Sequence, residues 1–310
     1  MNKKILLKIL IIATGLLLVC GGVLIYYYSK NHKPDITPPI IDTTDPGGDK
    51  PYQPPVNEIK YYTESRDGYV KLTKESQEQL SQEISKKGGL ALNEIDRLAY
   101  SQLTYMDLSH FNKLCDISIL VDFINLKYLD LSYTNISDVC PIANLNNLEY
   151  LNLSNTDISD ISCLQNLINL KELNLNSTNV SDVSPLSQLI NLKNLSLSST
   201  EIINISPLAR LTNLEYLTLD NTNISEVSYL QTLINLKVLS LRSTNVFRIW
   251  TFKKLTNLKK LYLFNTGVSD IYSLRYLKNL IYLDISETNV SKSNLKKFTD
   301  ELPDVFILWP

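Results

Sequence analysis

The chain has 310 residues, enough for one large domain or two small ones. Its 30 basic and 32 acidic side chains nearly cancel, which argues against a nucleic-acid-binding protein, because such proteins carry a basic excess. With only two histidines and no C-x-x-C pair among four cysteines, a His-rich metal site, a Ser-His-Asp triad and a zinc ribbon are nearly excluded, and no cofactor is expected.

The first predicted element is an apolar helix at residues 9–28, which carries no charge and is long enough to cross a bilayer. Three lysines precede it within residues 1–8, so the positive-inside rule places that end in the cytoplasm and the rest of the chain outside. A cleaved signal peptide and a lipoprotein modified at Cys20 are the alternatives. The apolar run continues past Cys20 and no A-x-A-like site follows it, which favours an uncleaved signal-anchor of a single-pass membrane protein.

Residues 29–57 are rich in proline, which favours extended polyproline II and predicts a linker that holds the next domain away from the membrane. Residues 58–102 are predicted to form a helical N-terminal cap, with Thr73 as an N-cap and Gly88 as a helix stop.

A repeat occupies residues 103–290. The pattern L-x-x-L-x-L-x-x-T-x-[IV] returns every 22 residues, and a looser copy starts 23 residues before the first regular one. The first leucines, which define position 1 of each repeat, are Leu103, Leu126, Leu148, Leu170, Leu192, Leu214, Leu236, Leu258 and Leu280. A period in the twenties with this leucine pattern predicts a leucine-rich-repeat solenoid.

The spacing also predicts how each repeat is built. Leucines at positions 1, 4 and 6 point inward from a short strand, and the strands stack into a curved parallel sheet on the concave face of an α/β fold. Pro141, Pro185 and Pro207 favour short 3₁₀ or irregular segments on the convex side. Residues 291–310 are predicted to be a C-terminal cap, with a helix from about Ser293 to Leu302 and a final segment that closes the sheet.

Two polar columns run through the eight regular repeats: an Asn before position 1, from Asn125 to Asn279, and a Thr at position 9, from Thr134 to Thr288. Both are interpreted as structural ladders that satisfy buried backbone groups from repeat to repeat. The residue after each Thr is usually Asn, Asp or Gly, which predicts a left-handed backbone there.

The eight copies of "NLxxLxLxxT" resemble the bacterial 22-residue class of leucine-rich repeats, of which the internalins of Gram-positive pathogens are members. The resemblance covers roughly residues 92–310 and implies a curved solenoid that binds proteins, or less often sugars, on its concave sheet. Internalins usually carry Asn where this chain has the Thr column, and they usually continue into an immunoglobulin-like segment and a wall anchor. Host-cell invasion is therefore not carried over.

Positions 3, 5 and 7 point out of the concave face, and their aromatic residues collect near the two ends of the sheet. The candidate partner-binding residues are Tyr105, Tyr128, Tyr133 and Tyr150 in an N-terminal cluster, and Tyr216, Arg242, Tyr262, Phe264 and Tyr282 in a C-terminal cluster. Tyr and Arg are enriched at binding hot spots, whereas a column of tyrosines also stabilises a sheet.

One repeat departs from the others, since "TNVFRIWTFKKL" places Phe247, Arg248 and Trp250 on the convex return. A locally repacked turn is the simpler interpretation, and a second contact surface is the alternative. Cys140 and Cys163 lie at nearly the same offset in adjacent repeats, within disulfide reach, although buried free thiols are the simpler interpretation for both and for Cys115.

The pattern therefore predicts a membrane-anchored, cell-surface protein-interaction module whose concave face binds a protein partner, with no metal site and no nucleic-acid partner. An intracellular scaffold and a surface carbohydrate binder are the alternatives. Catalysis is not expected, because Asp107 and Asp130 are the only adjacent acids on the concave face and are interpreted as solvated rim charges.

Overall fold

The computed structural model describes residues 103–309 and the backbone of three short strands nearer the N-terminus. The chain divides into two units, Met1–Ser76 and Gln77–Pro310. In the first unit, Leu18–Cys20 (β1), Val23–Tyr27 (β2) and Val70–Leu72 (β3) form an antiparallel sheet in the order β1-β2-β3.

Strands β1 and β2 lie within residues 9–28, where the sequence predicts an apolar helix, so the backbone of these two short stretches differs from that helix, while the membrane anchor itself stays a prediction. The rest of that segment, the linker, and the N-terminal cap apart from β3 lie outside the described residues. Among the helices that the structure describes, none is both long enough and apolar enough to cross a bilayer.

The second unit is a solenoid with a ten-stranded parallel sheet, in which each strand lies beside the next along the chain. The strands are Tyr105–Asp107 (β4), Tyr128–Asp130 (β5), Tyr150–Asn152 (β6), Glu172–Asn174 (β7), Asn194–Ser196 (β8), Tyr216–Thr218 (β9), Val238–Ser240 (β10), Lys260–Tyr262 (β11), Tyr282–Asp284 (β12) and Phe306–Leu308 (β13). The predicted leucine-rich-repeat fold, with its parallel sheet, is confirmed.

Each strand is three residues long and covers positions 3 to 5 of its repeat. Position 4 is fully buried in most repeats, while positions 3 and 5, on the opposite side of the strand, are half-buried in β4 to β9, and position 5 is buried in β10 to β12. The pairing never slips, because Leu129, Leu151 and Leu173 each pair with the equivalent leucine of the next repeat. Stacked leucines therefore fill the core, and equivalent outward positions form continuous columns.

Eight 3₁₀ helices return the chain on the convex side, which confirms that prediction. They are Ser118–Asp122 (η1), Cys140–Ile142 (η2), Ser162–Asn166 (η3), Ser184–Gln188 (η4), Ser206–Arg210 (η5), Ser228–Thr232 (η6), Trp250–Lys254 (η7) and Tyr272–Tyr276 (η8). Proline occupies the first turn of η2, η4 and η5, where a missing N–H costs nothing. A carboxylate two residues earlier accepts a hydrogen bond from the first backbone N–H of most of these helices, as Asp182 does from Ser184 at 2.8 Å.

The left-handed backbone falls one residue before the Thr at position 9, so its predicted place after the Thr is wrong. The non-glycine residues with positive φ between 52° and 64° are His110, Tyr133, Asn155, Ser177, Ser199, Asn221, Ser243, Asn265 and Glu287. This conformation turns the chain out of the strand while the residue's own N–H still reaches the next repeat, as Tyr133 N–H does to the Ser154 carbonyl at 3.0 Å. The residue after the Thr instead bonds to the preceding repeat, as Asn179 N–H does to the Ile158 carbonyl at 2.8 Å.

The Asn and Thr columns make different kinds of hydrogen bond. Each Asn amide reaches across to the preceding repeat, as in the 2.9 Å bond from Asn191 Nδ2 to the Ile168 carbonyl, so the Asn column is a ladder between repeats. Each Thr hydroxyl instead donates within its own repeat, as Thr178 Oγ1 does to the Leu175 carbonyl at 2.7 Å. The Thr column is therefore structural, but it is not a ladder.

The sheet ends in a cap made by the chain's last residues. The helix Lys292–Glu301 (α1) begins after Ser291, whose hydroxyl accepts a hydrogen bond from Asn294 N–H at 3.2 Å. Phe298 of this helix is fully buried. The chain then adds β13 beside β12, with Phe306 opposite Tyr282.

Cys140 and Cys163 form a disulfide between η2 and η3, with their Cα atoms 5.1 Å apart. Cys115 is free and exposed. The sequence-based preference for buried free thiols is therefore wrong for Cys140 and Cys163, and for Cys115 it is right about the free thiol and wrong about its burial. The disulfide forms because the register of the repeats places the two turns side by side.

Candidate binding surface

The concave sheet positions the predicted aromatic residues in register. Tyr105, Tyr128, Tyr150 and Glu172 occupy position 3 of successive repeats and are direct strand partners. The rings of Tyr105 and Tyr128 lie 4.2 Å apart with planes at 10°, and those of Tyr128 and Tyr150 lie 4.1 Å apart at 5°. We call these three tyrosines the tyrosine stack.

The rings of the tyrosine stack cover one another's faces. Burial raises the pKa of Tyr128 well above its ordinary value, and burial also raises the pKa of Tyr150. The stack is therefore a neutral aromatic block, and part of its burial energy already stabilises the sheet itself.

Tyr133 lies apart from the tyrosine stack. It occupies the left-handed position after β5 and stacks on His110, with ring centroids 4.5 Å apart and planes at 11°. The predicted N-terminal cluster is therefore two separate stacks, and His110 belongs to the second. The sequence holds the signal for His110, since both residues occupy position 8 of their repeats.

The acids beside the tyrosine stack hold the backbone. Asp130 Oδ1 accepts hydrogen bonds from Ser132 N–H at 2.9 Å and Ser132 Oγ at 2.6 Å, and its Oδ2 accepts one from Asn152 Nδ2 at 3.0 Å. Burial raises the pKa of Asp130, and the charge of Asp107 adds to this effect against the hydrogen bonds, which lower it. Asp130 is half-buried and fully engaged, so its description as a solvated rim charge is wrong.

The C-terminal cluster is centred on Arg242 at position 7. Its guanidinium lies 3.3 Å from Asp284 Oδ2 and 4.5 Å from the ring centroid of Tyr262. Asp220 Oδ1 accepts hydrogen bonds from Arg242 N–H at 2.8 Å and from Ser240 Oγ at 2.5 Å. Burial raises the pKa of Asp220, while these hydrogen bonds and the Arg242 charge oppose the shift.

Tyr262 is only 3% exposed, so it supports Arg242 rather than offering its own contact area. Burial raises its pKa to about 12, with the nearby Tyr282 as the next cause. Within residues 103–309, neither the Tyr262 hydroxyl nor Arg242 Nε has a hydrogen-bond partner, although both are buried. Two donors therefore remain unsatisfied beneath the concave surface.

The aromatic row continues beyond the predicted cluster. The ring of Tyr282 lies 5.1 Å from that of Tyr262 and 5.8 Å from that of Phe306 in β13. Phe306 is 60% exposed and Leu308, on the same strand, is 40% exposed. The sequence-based prediction did not include Phe306 and Leu308. Their alternate positions in the closing "VFILW" nevertheless indicate a strand that presents both side chains on its outer side. Of the two remaining predicted residues, Tyr216 is half-buried at position 3 of its repeat, where β9 begins, and Phe264 is exposed at position 7 of the next repeat but one.

The concave face as a whole is acidic. Positions 3, 5 and 7 carry five carboxylates, those of Asp107, Asp130, Glu172, Asp220 and Asp284, against two cations, Arg242 and Lys260. Burial raises the pKa of Glu172 as well, opposed by a hydrogen bond from Asn194. Small polar side chains occupy most of the space between the two aromatic ends.

A second surface, not foreseen from the sequence, is the open groove along the edge where the strands begin. It is lined by the Asn column and by position 2, whose residues are Lys127, Glu149, Lys171, Lys193, Glu215, Lys237 and Lys259. Lys171 pairs with Glu149 at 2.5 Å, and Lys237 pairs with Glu215. These exposed pairs contribute little to stability.

The unusual convex turn is not repacked. Ile249, which precedes η7, has φ −125° and ψ 19°, close to φ −120° and ψ 10° at Val227 before η6. Phe247 is 51% exposed and Trp250 is 59% exposed, so the simpler interpretation of this turn is wrong. Gly267 accommodates Phe247, because a Cβ at residue 267 would lie 3.1 Å from the Phe247 Cβ.

A family model described as Leucine Rich repeats (2 copies) matches residues 124–166 and 146–188. The internalin inlF from Listeria monocytogenes is 26% identical, with a TM-score of 0.60 over 74% of this chain and 72% of that chain. This chain carries a leucine-rich-repeat domain. The internalin C2 (inlC2) of the same species is also 26% identical, with a TM-score of 0.58 over 69% of this chain and 84% of that chain.

The leucine-rich-repeat domain also resembles the plant peptide hormone receptor RGFR1, solved in complex with RGF2. That likeness has 21% identity and a TM-score of 0.57 over 67% of this chain and 36% of that chain, and it concerns the fold alone. The comparison with curated proteins finds no match. The internalin-like fold is that of a non-enzymatic binding domain.

Proposed function

We propose that the protein is a membrane-anchored interaction module whose leucine-rich-repeat domain binds a protein partner on its concave face outside the cytoplasm. The observation that carries the proposal is the concave face itself, on which aromatic groups at both ends flank a polar middle. Tyr, Trp and Arg supply most of the binding energy at protein interfaces, because they bury a large area and keep a polar group. The tyrosine stack and Arg242 are the two anchors.

The self-stacking of the tyrosines favours a protein over a carbohydrate. Sugars pack on open aromatic faces, whereas the shared faces of the tyrosine stack lie only 4.1–4.2 Å apart and are covered. The three rings are half-buried, so part of each remains for contacts with side chains of a partner. RGFR1, which shares the fold, is a receptor that takes a peptide hormone as its ligand.

The charge of the concave face indicates the chemistry of the partner. Five carboxylates against two cations favour a partner surface rich in Lys and Arg, which also pack well on tyrosine rings.

The disulfide supports the extracytoplasmic location. Disulfides persist in oxidising environments and are rare in the cytosol, and Cys140–Cys163 joins two turns on the surface of the domain. This agrees with the orientation expected from the lysines in residues 1–8. The anchor at residues 9–28 belongs to the proposal and depends on the sequence alone.

Site-specific cross-linking in cells tests the concave site. A photo-reactive amino acid replaces Tyr128 or Tyr282 in the full chain, and the matched control replaces Tyr229, which is 41% exposed on the convex side. We expect the same adduct from both concave positions and not from the control. Adducts from Tyr229 alone would reject the concave face as the binding site.

The partner identified in this way allows a quantitative test. We expect Tyr128→Ala combined with Tyr150→Ala to weaken binding at least about tenfold, since truncating a hot spot costs about 2 kcal/mol or more. The circular dichroism and melting temperature of the variant show whether the domain stays folded. Equal affinity in a folded variant would remove the tyrosine stack from the site.

Protease shaving of intact cells tests the orientation. With an epitope at the C-terminus of the full chain, we expect loss of the epitope while a cytoplasmic control protein stays intact. Protection that ends only on lysis would place the domain inside and reverse the proposed topology.

A further inference from the structure

Two adjacent convex turns differ from the turns before them. In η7 and η8, equivalent positions hold Trp250 and Tyr272, then Lys253 and Arg275, then Lys254 and Tyr276, each pair 22 residues apart. Because neighbouring turns stack in register, these six residues form a grid of two rows on the outward face of the domain. We call it the convex aromatic–basic patch.

The earlier turns carry small or neutral side chains at most of these positions. The position of Trp250 and Tyr272 is occupied by Ser118, Ser162, Ser184, Ser206 and Ser228 in η1 and η3 to η6. Among η1 to η6, Arg210 is the only basic residue. Apart from Arg210 in η5 and Tyr229 in η6, the exposed aromatic and basic residues of these turns are therefore concentrated in the patch.

Packing does not account for the aromatic rings. Trp250 is 59% exposed, Tyr276 47% and Tyr272 42%, so each leaves much of its ring in water. The backbone of η7 keeps the geometry of its neighbours, so the turn does not require these side chains. An exposed group of large aromatic residues on a soluble surface marks an interaction site.

The cations lie against the rings. The Arg275 guanidinium is 3.6 Å from the ring centroid of Tyr272 and 4.3 Å from that of Tyr276, and its NH2 group donates a 2.5 Å hydrogen bond to the Tyr276 hydroxyl. Lys253 Nζ is 5.9 Å from the ring centroid of Trp250. Positive charge and apolar area are therefore presented together.

Arg248 adds to the positive charge beside the patch. In most other repeats its place is taken by an acidic residue that bonds the first N–H of the turn, as Asp270 does with Tyr272 N–H at 2.8 Å. In this repeat the acid is replaced by an arginine, which lies 5.1 Å from the ring centroid of Phe247. Arg248, Lys253, Lys254 and Arg275 thus lie close together on two adjacent turns. The nearby acids, Glu226 and Asp270, occupy the position of Arg248 in the repeats on either side.

We propose that the convex aromatic–basic patch docks the leucine-rich-repeat domain on an anionic lipid surface. Trp and Tyr rings settle at the headgroup level of a bilayer, where the apolar body is buried and the polar edge stays wet. Lys and Arg side chains extend past the rings to lipid phosphates, and clusters of four or more such residues favour anionic lipids. The patch lies opposite the concave sheet, so this docking leaves the concave face open and does not depend on the concave-site proposal.

Fluorescence of Trp250 in the full chain tests this directly. The chain has two tryptophans, so Trp309→Phe leaves Trp250 as the single reporter. Vesicles rich in phosphatidylglycerol are compared with vesicles of phosphatidylcholine alone, each with and without bromine-labelled acyl chains. The apolar segment at residues 9–28 is able to hold the protein on either vesicle, so the readout is taken at Trp250 rather than from total binding.

On the anionic vesicles we expect the Trp250 emission to shift to the blue and to be quenched by the brominated lipid, with neither change on neutral vesicles. Lys253→Glu combined with Arg275→Glu, in the same Trp309→Phe background, removes both changes. The control is Gln188→Glu, which places a negative charge at the exposed last residue of η4, the position that Lys254 and Tyr276 occupy in the patch, and leaves both changes intact.

Three results would overturn the proposal. The first is an unchanged Trp250 emission on anionic vesicles, and the second is an equal response on neutral vesicles. The third is a response to poly-glutamate but not to lipid, which would make the patch a docking site for an acidic protein. The melting temperature of the Lys253→Glu/Arg275→Glu variant is measured as a control. A value equal to that of the wild type shows that the variant is folded and that its loss of response is not caused by unfolding.

Discussion

Single side chains set the turn that ends each strand. The Thr at position 9 is buried in most repeats, and its hydroxyl donates to the carbonyl three residues earlier, at 2.6–2.8 Å throughout the series. The sequence shows that the column is structural, but it cannot show the partner. A short β-branched side chain reaches the carbonyl of its own turn before it reaches a neighbouring repeat.

Thr178→Val isolates this hydrogen bond, because valine keeps the shape of threonine and removes the hydroxyl. We expect the free energy of unfolding to fall by about 1–2 kcal/mol, since the Leu175 carbonyl loses its partner in a buried place. Urea denaturation measures the change. Thr288→Val, at a half-buried position in the last repeat, serves as a milder comparison. A Thr178→Val domain as stable as the wild type would show that the hydroxyl contributes nothing.

Asp130 makes stability depend on pH. Its pKa is raised in the folded domain, chiefly by burial, so the folded state holds the proton more tightly than the unfolded chain does. Its contribution to stability is therefore present below the pKa of the unfolded chain and is lost as the pH rises through the folded pKa. We expect Asp130→Asn, which cannot ionise, to become more stable relative to the wild type as the pH rises from acid to neutral.

Urea denaturation of both proteins at several pH values measures this difference. Asp182→Asn is a suitable control, because Asp182 is exposed and caps a convex turn in the same way as its neighbours. A stability difference between Asp130→Asn and the wild type that stays constant or falls with rising pH would contradict the assignment.

At the scale of the element, the convex turns combine a fixed backbone with variable side chains. The turns η2 and η3 are additionally joined by Cys140–Cys163. Equal offsets within the repeat are enough to bring two cysteines together, but they do not reveal the oxidation state. That depends on the compartment, which the spacing of residues does not encode.

Cys140→Ala combined with Cys163→Ala removes this link. The bridge closes a loop with a sequence separation of 23 residues, so the chain-entropy model gives a loss of about 3 kcal/mol in the free energy of unfolding. Chemical denaturation measures it, and reduction of the wild type should give a similar loss. Cys115→Ser, which changes a free exposed thiol, should leave stability unchanged. Equal stability of the double variant would show that the bridge does not constrain the unfolded chain.

At the scale of the whole molecule, each repeat contacts chiefly its neighbours, so the terminal repeats depend on their caps. At the C-terminal end this role belongs to α1 and β13, with Phe298 filling the last gap in the core. The cap contacts and stabilises the last repeat directly. It stabilises the earlier repeats only indirectly, through the last repeat.

Phe298→Ala should therefore loosen one end of the domain rather than all of it. Truncating a fully buried Phe costs about 3–5 kcal/mol, and we expect the loss to appear as faster hydrogen exchange in β12, α1 and β13 while β7 and β8 stay protected. Lys296→Ala on the exposed side of α1 should leave exchange almost unchanged, because its ion pair with Asp300 is solvent-exposed. A uniform loss of protection across the sheet would show that the array unfolds as one unit.

The strict period made the solenoid, the nine repeat strands and the outward columns predictable, because side chains alternate along a strand and repeats stack in register. What the period could not predict is the grouping of the side chains. Tyr133 lies at position 8 and stacks on His110 rather than on the tyrosine stack, and Tyr262 is covered because Arg242 lies over its ring. The first outcome follows from repeat positions that the sequence does show, whereas the second depends on the conformation of the Arg242 side chain, which the period does not contain.

The uninterrupted spacing from Leu126 to Leu280 also has a genetic consequence. The stretch "INLK" occurs at residues 124–127, 168–171, 190–193 and 234–237, so separate repeats share an identical short segment at the same point of the 22-residue period. An unequal exchange between them would add or remove whole repeats without shifting the reading frame or the leucine register. The distance between the aromatic ends of the concave face would then change in units of one strand spacing, about 4.8 Å, while the fold is inherited intact.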